Sequence, residues 1–316
     1  MPIDFIQYYY LPARQNLHNV FLFKVKNSDL GFAPPQTEES KEEGKTEQSS
    51  PSGNLEAQSH IFIQFNKMKN GQPGELVKEV YIPVEIKVDS ESYQPDKKSL
   101  YSTGYPLPPG DYILSMAIAS EDLEKIGTQY FEFSPPDPAS FKNNLGTTPI
   151  FFVKNIERMS SPETKATVHK DFFTYSVLKI TPNLKNRFKP GDMLDIFFYV
   201  FGAQPNSSKK YGIDIQFKVF KGDKLFIKYA PQSYEKAPIV SQPLPMKRTV
   251  LVKKKKGEEV VSEEKEKRDL EPGSYTLSAE IEDTISGKSL TKKVDFTVVG
   301  ETEEEKEEKK EEKEKK

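Results

Sequence analysis

The chain has no cysteine and no tryptophan among its 316 residues. Absent thiols exclude disulfide staples, thiolate metal centres and a cysteine nucleophile, and they suit the cytosol and a bacterial envelope equally. Absent tryptophan removes the largest ring for stacking on a sugar. Histidine is scarce. His18, His60 and His169 are dispersed over predicted strands or their flanks, with no His-x-x-x-His spacing and no carboxylate cluster beside them. They read as ordinary sheet or surface histidines, and no metal ligand is assigned. Glycine falls in Pro-Gly, Asn-Gly and Lys-Gly-Asp turns. No nucleophile elbow, phosphate-binding loop or dinucleotide fingerprint is present, so no catalytic residue and no cofactor is expected. A net charge of −2 leaves no basic surplus for phosphates, which argues against a nucleic-acid partner. No apolar run approaches the ~20 residues of a membrane span. The opening Met1–Tyr10 lacks the basic and apolar regions of a signal peptide, so a periplasmic or extracellular site requires that an upstream signal has been removed.

What the sequence has instead is β character. Its 21 Phe and 15 Tyr, with many Val, Ile and Thr, favour strands, and 24 scattered prolines break long helices. Strands are predicted over 3–10 and 17–26, the second with only partial alternation at Val20, Leu22 and Phe23 to Lys26. Ile61, Ile63 and Phe65 share one strand face, and Asn70-Gly71 suits a type I′ hairpin turn. Pro83 marks the next strand as an edge or bulge. Leu194, Ile196, Phe198 and Val200 form one predicted core face; Ile213, Ile215, Phe217 and Val219 form another.

An internal echo carries the domain organisation. Leu107-Pro108-Pro109-Gly110-Asp111-Tyr112-Ile113-Leu114-Ser115 returns as Leu270-Glu271-Pro272-Gly273-Ser274-Tyr275-Thr276-Leu277-Ser278. The match continues without a gap: Ile118 with Ile281, Lys125 with Lys288, Thr128 with Thr291, Phe133 with Phe296. A repeat at ~160 residues is a domain duplication rather than a solenoid period. Each copy predicts a Pro-Gly turn leading into a terminal hairpin.

The fold class is therefore all-β: two tandem Ig-like or fibronectin III-like antiparallel β-sandwiches with disordered charged insertions and tail. The first sandwich spans 1–135 with a flexible insertion at 34–54, and a connection follows over 136–165, where Ile150–Val153 is apolar enough to dock. The second sandwich spans 166–299 with a charged insertion at 253–268. The Glu/Lys tail over 300–316 is either disordered or a single solvated helix.

Chemistry-bearing residues are few. Glu280, Glu282 and Asp283 form the best acidic cluster, at a strand end, and read as a polar hairpin turn rather than a calcium loop. Tyr8, Tyr9 and Tyr10 are the candidate interaction residues, as an interface anchor or a sugar-stacking group; the competing reading packs the rings into the sheet.

The two Pro-Gly-x-Tyr hairpins, with Phe188-Lys189-Pro190-Gly191, resemble patterns in bacterial GWxTD-domain proteins and von Willebrand factor A-related envelope proteins with Ig-like modules. The likeness runs over most of residues 3–299, although the defining Gly-Trp-x-Thr-Asp motif is absent. It implies an extracytoplasmic location and supplies no catalytic residue. The expected function is a non-enzymatic structural or protein-interaction module of a bacterial envelope, with protein partners there. The alternative is a carbohydrate-binding protein that holds polysaccharide on exposed Tyr and Phe of a sheet face. An exposed aromatic row would favour the sugar; a bare polar surface with an open edge would favour a protein.

Overall fold

The computed structural model describes residues 1–14, 16–34, 53–163, 165, 167–256 and 259–300. Nearly all of the 34–54 insertion and the tail beyond 300 lie outside the described residues. Among the described residues the protein is all-β, with only one-turn 3-10 segments at Asn27–Asp29 and Pro138–Phe141. It forms two compact units: Met1–Pro138 with Ile156–Thr181, and Ala139–Asn155 with Pro182–Lys316. Where the sequence reading runs a connection over 136–165 and opens the second sandwich at 166, the structure gives 139–155 to the second unit and 156–181 to the first.

The first unit is built from β1 (Ile3–Ala13), β2 (Asn16–Lys26), β3 (Asn54–Lys69), β4 (Gln72–Asp89), β5 (Lys98–Leu107), β6 (Tyr112–Ser120) and β7 (Ile126–Phe133). They pair as β1-β2-β5 and as β4-β3-β6-β7, two antiparallel sheets packed face to face. Alternation selects the inner residues: Phe21 and Phe23 from one sheet meet Ile61, Ile63, Phe65, Leu114 and Met116 from the other. The β3–β4 hairpin turns at Asn70 and Gly71 with φ of 54° and 75°, the type I′ geometry that the Asn-Gly pair permits.

After β8 (Gly146–Thr147) and β9 (Phe151–Arg158), the chain returns to the first unit. There β10 (His169–Lys170) pairs with β5, and β11 (Phe173–Tyr175) pairs with β12 (Leu178–Pro182). This return explains why β2 lacks clean alternation. Its second face, with Val20 and Leu22, is also buried, because Phe173 lies 6.0 Å from the Tyr9 ring and the Tyr175 hydroxyl donates to the Pro12 carbonyl at 2.7 Å. A sheet covered on both sides reads as a continuous apolar run.

The second unit repeats the design with β13 (Arg187–Phe188), β14 (Met193–Phe201), β15 (Ile213–Lys221), β16 (Lys224–Lys228), β17 (Gln232–Tyr234) and β18 (Ile239–Pro245). It continues with β19 (Lys247–Lys256), β20 (Glu259–Asp269), β21 (Gly273–Asp283) and β22 (Lys288–Val298). Its sheets run β9-β14-β18 and β13-β22-β21-β15-β16. Leu194, Ile196, Phe198 and Val200 face Ile213, Ile215, Phe217 and Val219 in one core. The charged insertion at 253–268 takes the form of the antiparallel β19–β20 hairpin.

The duplicated motif makes the same corner in both units. The Tyr112 hydroxyl donates to the Pro108 carbonyl at 2.9 Å, and Tyr275 donates to the Glu271 carbonyl at 2.8 Å. Gly110 and Gly273, at φ 147° and 152°, supply the backbone conformation that lets each ring fold back over the turn. A tyrosine corner of this kind fixes the entry to the strand that crosses the sandwich centre.

Candidate functional site

The candidate interaction residues Tyr8, Tyr9 and Tyr10 lie on β1. Register slips between Phe5 and Gln7, so Phe5 and Tyr8 both turn to the first unit's interior. Tyr8 stacks on Phe21 and donates to the Asn19 carboxamide oxygen at 2.6 Å. Asn19 is fully buried and donates in turn to the carbonyls of Leu17 and Tyr105. Burial pushes the phenols of Tyr8 and Tyr9 far above their ordinary value and raises that of Tyr10. Tyr9 is buried and Tyr10 half-buried, so the exposed rings lie elsewhere.

They stand on the outer face of β4-β3-β6-β7, where Phe62 is 44% exposed, Tyr81 52% and Tyr130 63%. Strand alternation sends Ile61, Ile63 and Phe65 inward and therefore His60, Phe62 and Gln64 outward. Register assembles two rows across the strands, Tyr81–Phe62–Ala117–Thr128 and Glu79–Gln64–Ser115–Tyr130. Phe62 stacks on Tyr81 at 5.1 Å between centroids, and Tyr81 stacks on His60 at 5.9 Å. A 2.8 Å hydrogen bond between His60 Nδ1 and the Tyr81 hydroxyl fixes this tier. Beside it runs a trough of about 270 Å³, lined by Phe62, Tyr130, Gln64, Glu79, Ser115 and Thr128 and floored by Ala117. Phe62 and Tyr130 stand two strands apart and two residues apart along the strands, about 12 Å by strand spacing and rise.

The second unit supplies an internal control. Its matching strands pair in the same register, Gln216–Glu280–Thr291 and Lys218–Ser278–Lys293. Where the first unit has Phe62, Ala117 and Tyr130, the second has Gln216, Glu280 and Lys293, and Lys218 bonds the Glu280 carboxylate. The framework thus folds with a polar, charged face at this place. Fold stability therefore does not require the aromatic row.

The acidic cluster lies at the end of β21, and its last member holds the hairpin turn that follows. Fully buried Asp283 accepts from the Ile285 amide at 3.2 Å and the Ser286 hydroxyl at 2.7 Å, and Glu280 pairs with Lys218. Among the described residues no group of three or more His, Asp and Glu could hold a metal ion. No helix among them is long and apolar enough to cross a membrane.

Of the three histidines, His60 belongs to the aromatic tier, while His18 and His169 line one cavity behind β2 and β5. Sequence separation hid that meeting, and only the return of 156–181 brings it about. The aromatic row was readable in part: Phe62 and Tyr130 interrupt the polar face of alternating strands, but their adjacency depends on cross-strand register. No protein-family model and no curated protein matches the chain.

Proposed function

We propose that the first sandwich binds an extended, uncharged glycan on the outer face of β4-β3-β6-β7, in a non-enzymatic recognition role. The observation that carries this reading is the exposed Phe62, Tyr81 and Tyr130 on a face whose duplicate is charged. Aromatic rings cover the C–H faces of a sugar, and the polar groups between them, Gln64, Ser115 and Thr128, can satisfy its hydroxyls. The trough is open and shallow, which suits a chain lying across strands. Its charge favours a neutral ligand: Glu79, Glu85 and Glu132 face outward, and the outward Lys87 is held by Glu56 and Glu85 at 2.7 and 2.9 Å. A uronate chain would meet net repulsion there.

A protein strand added to the outer edge of β4 is the rival occupant. Pro73 and Pro83 remove donors from that strand, and Glu75, Glu79, Glu85 and Lys87 stud it, as in edges guarded against pairing. Membership among Ig-like modules of the bacterial envelope is part of the same proposal. Its supports are the shared seven-strand order of the two units and the tyrosine corner at the sixth strand.

Depletion of the full chain by insoluble neutral polysaccharides, a β-glucan and chitin, tests the reading. Phe62→Gln with Tyr130→Lys installs the second unit's residues. We expect retention to fall at least about tenfold, with stability changed by no more than about 0.5 kcal/mol, as for surface substitutions. Equal retention of both proteins, or none of the wild type, refutes it.

A further inference from the structure

The return of 156–181 encloses a second space in the first unit, a cavity of about 390 Å³. Its floor is the outward face of β2 and β5, with His18, Val20, Ser102 and Gly104. Its wall is the returning chain, with Glu163, His169, Phe173 and Thr174. Gly104 creates the room: a β-carbon there would stand 2.5 Å from His18 Nε2.

The polar groups of the wall are mutually engaged. His169 Nε2 lies 2.9 Å from a Glu163 carboxylate oxygen, and the Thr174 hydroxyl donates to that same oxygen at 2.9 Å. The one acid of the cavity is thus already satisfied. The cations are not. Lys78 and Lys165 both line the space, Lys78 resting its ammonium 5.3 Å from the centroid of the Tyr105 ring, and neither has an ion-pair partner among the described residues. Here a chain of net charge −2 gathers positive charge around a space of ligand size. His18 adds a different group. It lines the space, burial keeps its imidazole neutral, and a neutral imidazole presents one of its nitrogens as an acceptor.

We propose that this cavity binds a small, compact oxyanion of the hydroxycarboxylate class. The lysines take the carboxylates, and the acceptor nitrogen of His18 takes the hydroxyl proton in a hydrogen bond. The site is separate from the aromatic trough and does not depend on the glycan reading.

The test uses the full chain and imidazole NMR signals of His18, His60 and His169, titrated with citrate, with inorganic phosphate, and with sodium chloride at matched ionic strength. Citrate is expected to move His18 and His169 and leave His60 in place. The pair Lys78→Gln and Lys165→Gln, both at the cavity rim, should weaken that response at least about tenfold, the effect of removing two attractive charges worth ~1.4 kcal/mol in total. Three outcomes overturn the proposal: no response to citrate, an equal response to chloride, or an undiminished response in the double variant. A response to phosphate that exceeds the response to citrate overturns the hydroxycarboxylate assignment. Polysaccharide retention by the double variant should be unchanged.

Discussion

Replacing His18 with Gln should flatten the acid side of the first unit's stability profile. The imidazole is largely buried between Gly104, Tyr175 and the Thr174 carbonyl, and burial holds its pKa down at about 4, against 6.5 for the free group. The nearby Thr174 backbone acts in the opposite sense and is the smaller effect. A folded-state pKa below the unfolded one means that the unfolded chain takes up the proton first as pH falls. The contribution is complete above pH 6.5 and is lost as pH falls towards 4. At about 1.4 kcal/mol per pKa unit, the loss from pH 7.5 to pH 4.5 is about 2.5 kcal/mol. Other groups titrate nearby. Glu163 and His169 share the cavity with Lys78 and Lys165, while Asp122, with its carboxyl held low by Ser120, belongs to the same unit. Both proteins carry them, so the difference between wild type and His18→Gln isolates the imidazole. The assay is urea unfolding at steps between these pH values, read from whichever transition the substitution shifts. Parallel curves for the two proteins would refute the buried, neutral histidine.

Two further perturbations address the duplicated frame and the cavity. Tyr112→Phe and Tyr275→Phe each remove one corner hydrogen bond, at 2.9 and 2.8 Å. Each should cost about 1 kcal/mol in denaturant unfolding and move only the transition of its own unit; a coupled loss of both would contradict independent corners. Gly104→Ala brings a β-carbon to 2.5 Å from His18 Nε2 and must displace the ring. It should destabilise the first unit by about 1–3 kcal/mol, as overpacking does. If the displaced ring reaches water, its NMR titration should move up towards 6.5, whereas a midpoint still near 4 would show that the backbone gave way instead.

How much was legible follows from which interactions are local. Ile61, Ile63 and Phe65, or Ile213 to Val219, announce a strand with one buried face, and the structure buries them so. The Asn70-Gly71 turn and the two Pro-Gly corners were readable because positive φ restricts the residue choice. The β19–β20 hairpin was harder to read: pairing satisfies its backbone whatever its side chains, and exposed Leu251 and neighbouring charges carry no alternation towards a core. Val20 and Leu22 blurred the β2 pattern because a cover 150 residues later hides their face.

The sequence by itself determined the all-β class, the duplication, and the inward residues of each sandwich, because strand alternation and turn chemistry act between near neighbours. Tertiary structure alone decided that Phe62, Tyr81 and Tyr130 share a face, and that His18 meets His169 behind Gly104. Those meetings are set by cross-strand register and by the return of 156–181 to the first unit, long-range pairings whose partners no local pattern specifies.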